Sequence, residues 1–114
     1  MNPNTLEVLD YIYQCQTACK YCFNACLEEE AIAMMRRCIK LTVECADICE
    51  VTASSLAYTG DFTPEVLDVC IKACERCADE CRNHGYLHCL ECAKACRECA
   101  DYCREYLNEY RLIA

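Results

Sequence analysis

The chain has 114 residues, 16 of them cysteine, with only 2 Gly, 2 Pro and no Trp, and it carries a formal charge of −8. This length fits a single domain over residues 1–114 and leaves no room for a second core. The acidic balance, without a basic cluster, excludes nucleic acid as a partner, and no apolar run reaches the length of a membrane span.

Taken in chain order, four helical segments stand out. The first opens between Asn2 and Thr5, where an Asn or Thr cap and Pro3 give a start signal, and runs to about Leu27. It carries Cys15, Cys19, Cys22 and Cys26. The second runs from near Ala31 to about Ala57, holds Cys38, Cys45 and Cys49, and stops before Gly60, the expected left-handed C-terminal residue. The third has Thr63 as its cap and Pro64 in its first turn, reaches about Asn83 and carries Cys70, Cys74, Cys77 and Cys81. After Gly85 the fourth carries Cys89, Cys92, Cys96, Cys99 and Cys103 and ends near Tyr110. Short connections make successive helices antiparallel, so the expected fold is all-α, an antiparallel four-helix bundle.

Apart from one gap of seven, every step within a cysteine cluster is three or four residues. That spacing keeps side chains on one stripe of a helix, so the thiols face one another inside the bundle. An internal repeat supports the division: Cys-Ala-Asp-x-Cys recurs at Cys45 to Cys49, Cys77 to Cys81 and Cys99 to Cys103. Small residues beside the thiols, such as Ala18, Ala73 and Ala78, let the helices approach closely.

High cysteine usage usually marks a disulfide-stapled secreted scaffold. Such scaffolds are loop-rich, whereas these cysteines sit in helical stretches, and a bridge within one helix would close a tiny loop that constrains almost nothing. The opening Met1-Asn2-Pro3-Asn4-Thr5-Leu6-Glu7 has no basic region followed by an apolar run, so a reduced, cytoplasmic protein is expected.

Extended beyond its cysteines, the seam gives the bundle two different ends. One collects Val8, Ile12, Thr52, Leu56, Leu67, Tyr106 and Tyr110 as an apolar plug. The other collects Cys26, Met35, His84 and Cys89 with the connections at Glu28 to Glu30 and Asn83 to His88, and reads as a mouth.

A thiol has less volume than the Leu or Ile that normally fills a bundle seam, so an empty tube should be underpacked. Dense thiolate selects soft ions, with Cu(I), Zn(II) and iron–sulfur clusters as the candidates. Isolated Zn(II) sites take four ligands in a closed tetrahedron. Ligands strung along four rods suit an ion of lower coordination that shares sulfurs. Charge points the same way: about one Cu(I) per thiolate leaves the core nearly neutral, whereas isolated Zn(Cys)₄ sites leave buried negative charge.

With these seam clusters and the His84-x-x-x-His88-Cys89 connection, the chain resembles the cytosolic bacterial copper storage proteins over nearly its whole length. The resemblance implies a four-helix bundle that fills with multiple Cu(I) ions held by thiolate pairs, histidines contributing at the open end, and assembly as a homo-oligomer. It implies metal ligation by all sixteen cysteines together with His84 and His88, and exchange of copper with a copper chaperone. Thr42 departs from the pattern, since it occupies a seam position between Cys38 and Cys45 and thins the ligand ladder there.

His84, one turn beyond Cys81, ranks above His88 as a ligand or entry residue, and Met35 could pass Cu(I) inward through its thioether. Tyr11, Tyr13, Tyr21 and Tyr102 are assigned to packing or subunit contacts. Two other functions fit less well. A zinc or general soft-metal buffer would take about one ion per four thiols. A thiol redox enzyme would need an exposed Cys-x-x-Cys at a helix N-terminus near a βαβ element, and the pairs here lie mid-helix or face inward with no strand pattern. No catalytic constellation is visible, so no enzyme is expected.

Overall fold

Asn4 starts the first helix. Its side chain accepts from the Glu7 N–H at 2.9 Å and Glu7 reaches back to the Asn4 N–H, a capping box that satisfies two otherwise orphaned donors. The computed structural model describes residues 3–113, so Asn2, within the expected start, lies outside the described residues. Four α-helices follow: α1 (Thr5–Leu27), α2 (Arg36–Tyr58), α3 (Thr63–Cys81) and α4 (Leu87–Ile113). Each of α1 and α3 packs on both α2 and α4, which closes a square, antiparallel bundle about 49 Å long.

Several boundaries differ from the sequence reading, among them the end of α4, which runs to Ile113 and not only to about Tyr110. The chain enters α2 through a 3-10 turn, Ile32–Met35, preceded by Ala31, which offers no capping side chain. This turn tucks Met35 to 1% exposure beneath the open end, and the α-helix begins only at Arg36. At the other end of α2, Thr59 and not Gly60 takes the left-handed conformation, with φ 54° and ψ 60°. The helix runs one residue further than expected, which moves the reversal onto Thr59. Gly60 is required for a different reason, because a Cβ there would lie 2.9 Å from Ser55 Oγ and 3.0 Å from a Tyr58 ring carbon. Finally, Thr63 is not a cap. It is the first residue of α3, and its hydroxyl donates to the Gly60 carbonyl at 2.6 Å and lies 2.8 Å from Ser55 Oγ, knitting α3 to the end of α2. The same helix stops at Cys81, short of Asn83, so His84 sits in the connection.

The closed end is as apolar as the seam required. Val8, Ile12, Thr52 and Leu67 are fully buried, and Leu56 nearly so. On α4 the buried plug residue is Leu107, with Tyr106 and Tyr110 half-buried beside it. Tyr106 donates to or accepts from Thr5 Oγ1 at 2.9 Å, which ties α4 to the start of α1. Outside the seam, Tyr11 and Tyr102 stack with ring centroids 3.8 Å apart, so these two tyrosines serve the α1–α4 packing. Tyr13 and Tyr21 project outward at 49% and 68% exposure.

Candidate metal centre

Because α1 and α3 run from plug to mouth and α2 and α4 return, the four cysteine stripes meet level by level. All sixteen thiols are free and buried, none above 1% exposure. Nearest the plug lie Cys70, Cys99 and Cys103, the last two with sulfurs 3.9 Å apart. Above them Cys15, Cys49, Cys74 and Cys99 form a four-sulfur group, followed by Cys15, Cys19, Cys45 and Cys96, then Cys19, Cys77, Cys92 and Cys96. Next come Cys22, Cys81 and Cys92, and at the mouth Cys22, Cys26, Cys38 and Cys89. Cys15, Cys19, Cys22, Cys92, Cys96 and Cys99 each bridge to a neighbouring level, so the sulfurs form one continuous ladder.

The sulfur-to-sulfur contacts are short and many cross between helices. Cys15 Sγ lies 3.7 Å from Cys74 and 3.6 Å from Cys96, and Cys38 Sγ lies 3.5 Å from Cys81. These are contact distances for sulfur, so the expected hollow is largely taken up by the thiols themselves.

Thr42 is fully buried on the seam, where the cysteine pattern skips a place. Its hydroxyl donates to the Cys38 and Ile39 carbonyls, both at 2.9 Å, and so is satisfied by its own helix.

Crowded thiols cannot all ionise alike. A thiolate that accepts S–H bonds is stabilised, while its donors hold their protons. Hydrogen bonding from Cys22, then Cys81, draws Cys38 down to about 3, and burial followed by the charge on Cys38 pushes Cys26 up to about 11. Deeper in the tube, hydrogen bonding with Cys19 holds Cys15 and Cys92 far below the usual thiol range. Cys15 holds Cys19 far above it in return. A thiol held high keeps its proton until a bound cation displaces it.

The two histidines differ from their expected order. His88 Nδ1 lies 3.3 Å from Cys22 Sγ and 3.5 Å from Cys89 Sγ, placing the ring on the mouth cluster. His84, off the end of α3, instead pairs through Nε2 with Glu80 Oε2 at 2.8 Å. Glu80 also faces Arg37 Nε at 3.8 Å, so it links α2, α3 and the connection just outside the Cys38–Cys81 contact. Sequence reasoning missed Glu80; its spacing of four from His84 was the only signal. Met35 is buried beside the mouth, while Met34 is 76% exposed.

The chain has counterparts among known proteins. The family model described as copper storage protein matches residues 1–108. An uncharacterised cysteine-rich protein of Bacillus subtilis, YhjQ, is 42% identical over 78 residues, 68% of this chain and 72% of its own length. The Cu(I)-bound copper storage protein BsCsp3, from Bacillus subtilis, superposes with a TM-score of 0.82 at 39% identity, covering 85% of this chain and 92% of its own. A cytosolic copper storage protein from Streptomyces lividans, loaded with five coppers, gives a TM-score of 0.88 at 35% identity, covering 91% and 92%. The match along nearly the whole chain, on the same bundle fold, places this chain in the copper storage protein family.

Proposed function

We propose that this protein stores Cu(I) in the cytosol, holding many ions between the sixteen inward-facing thiolates, with His88 and His84 acting at the mouth. The observation that carries the reading is the sharing of sulfurs between successive groups. Ions of two- or three-fold coordination can bridge such a ladder throughout, and their single positive charges match the thiolates nearly one for one. The Cu(I)-bound relative, and those loaded with several copper equivalents, support the choice of ion.

Zinc buffering is the second reading, favoured by the four-sulfur groups, which offer the ligand number Zn(II) uses. Because these groups share members, they cannot all be filled as separate tetrahedra. Within this proposal the protein binds and releases without catalysing a reaction, as one domain over 1–114, and forms a homo-oligomer that exchanges ions with a copper chaperone.

Anaerobic titration of the reduced protein with Cu(I) against a competing chelator, with Zn(II) in parallel, tests the proposal. Uptake on the order of one Cu(I) per thiol is expected, against about one Zn(II) per four. Cys74 lies within 3.7 Å of both Cys15 and Cys45, so removing Cys74 and Cys77 together should lower copper capacity. Unchanged capacity would count against the ladder.

A further inference from the structure

A groove between α1 and α4 opens on the side of the bundle and shares His88 with the mouth. Gln14, Thr17, Ala18 and Tyr21 form its α1 wall, His88, Glu91 and Cys92 contribute from α4, and its volume is about 420 Å³. Clefts that hold small molecules fall in the range of about 300–1,000 Å³, so a low-molecular-weight ligand fits and a folded domain does not.

Two observations distinguish this groove. First, it reaches a core thiol. Cys92 is fully buried behind it and belongs to two successive thiol groups, one with Cys22 and Cys81 and one with Cys19, Cys77 and Cys96. By contrast, the larger groove between α3 and α4 is walled by charged side chains such as Lys72, Arg76, Asp79 and Arg97, with no thiol. Second, the two nitrogens of His88 are treated differently. Nδ1 faces the sulfurs of Cys22 and Cys89, whereas Nε2 is buried without a hydrogen-bond partner. A buried imidazole nitrogen left unpaired costs free energy that a soft cation or an S–H donor removes.

We propose that the α1–α4 groove is a side port to the thiol core, through which Cu(I) carried by a small-molecule thiol exchanges onto Cys92 and its neighbours past His88. The proposal rests on the copper-storage reading. The exchange is a ligand substitution in which copper stays monovalent: two Cu–S bonds to the carrier break and two to core sulfurs form. Each core sulfur that still carries a proton passes it to a departing carrier thiolate, and a core sulfur that is already a thiolate displaces its carrier as the free thiolate. Release is the same step reversed.

Thr17 and Gln14 are exposed, so Thr17→Phe and Gln14→Tyr narrow the port without opening the core. Tyr21, 68% exposed, lies in the same wall, and Tyr21→Ala widens it. Gly85→Phe serves as the comparison at the end of the bundle, where a Cβ meets nothing within 4 Å. Copper is supplied anaerobically as its glutathione complex and the rise of copper–thiolate absorbance is followed. Both narrowing variants should load about tenfold more slowly and Tyr21→Ala about twofold faster, with Gly85→Phe near the wild-type rate and capacity unchanged throughout. If one narrowing variant fails to fold by circular dichroism, the other decides. Wild-type rates in a folded narrowing variant, or slow loading in Gly85→Phe alone, would overturn the port while leaving storage intact. Absence of copper uptake by the wild type would overturn the storage reading and the port with it.

Discussion

Thr42 is the residue at which the ladder skips a ligand. Its side chain is fully buried on the cysteine stripe and its hydroxyl is satisfied within α2, so Thr42→Cys changes volume little and places one more thiol in the row. Titration of that variant should show capacity raised by about one Cu(I). The histidines make a second test at this scale. Since His88 touches two mouth sulfurs and His84 is engaged by Glu80, His88→Ala should disturb uptake kinetics more than His84→Ala, measured as the initial rate of loading. Which histidine reaches the thiols was not legible in the sequence. Both lie within a few residues of a cysteine, and the choice turned on α3 ending at Cys81 and on the direction of each ring.

At the scale of the element, the helices and their buried faces were legible because steps of three and four residues admit one period only. Every cysteine, Val8, Ile12, Thr42, Thr52 and Leu67 fall on the buried side as that period requires. The ends were harder to read. Over a single turn, a 3-10 stretch such as Ile32–Met35 has the same sequence signature as an α-helix. The reversal at Thr59 ran against the preference for glycine, because crowding by Ser55 and Tyr58 reserves Gly60 for the next position. A β-branched residue held at φ 54° carries local strain of about 1–3 kcal/mol. Thr59→Gly should therefore raise Tm by several degrees, roughly 4 °C per kcal/mol in a domain of this size, read by thermal melting of the metal-free protein.

For the whole molecule, the decisive property is how the core responds to protons and to metal. Cys26 and Cys99 are pushed up to about 11, Cys26 by burial and then the charge on Cys38, Cys99 despite hydrogen bonding from Cys103, chiefly through Cys15, Cys70 and burial. A thiol raised in the folded state contributes stability that is present below its ordinary value of 9.0 and is lost as pH rises towards about 11. Thiols held low, such as Cys38 at about 3, still titrate near 9.0 in the unfolded chain and oppose this loss at the start of the window, but the thiols raised in the folded state outnumber them, so the net slope is downward. Tm of the metal-free bundle should fall between pH 9 and 11. The copper-loaded protein, whose thiols have already given up their protons, should hold its Tm over the same interval. The bundle and its two unlike ends were legible in the sequence, but the contact between sulfurs was not, since it depends on how closely four alanine-flanked stripes approach.

The sealed apolar end, built from Val8, Ile12, Leu56, Leu67 and Leu107, imposes an order on traffic. Both the mouth and the groove beside Cys92 lie toward the opposite end, so early arrivals must be handed along the sulfurs to the deepest rungs before later ones can enter. Withdrawal then reverses that queue: ions supplied as one copper isotope and topped up with a second should leave with the second isotope first, the reservoir behaving as a last-in, first-out stack.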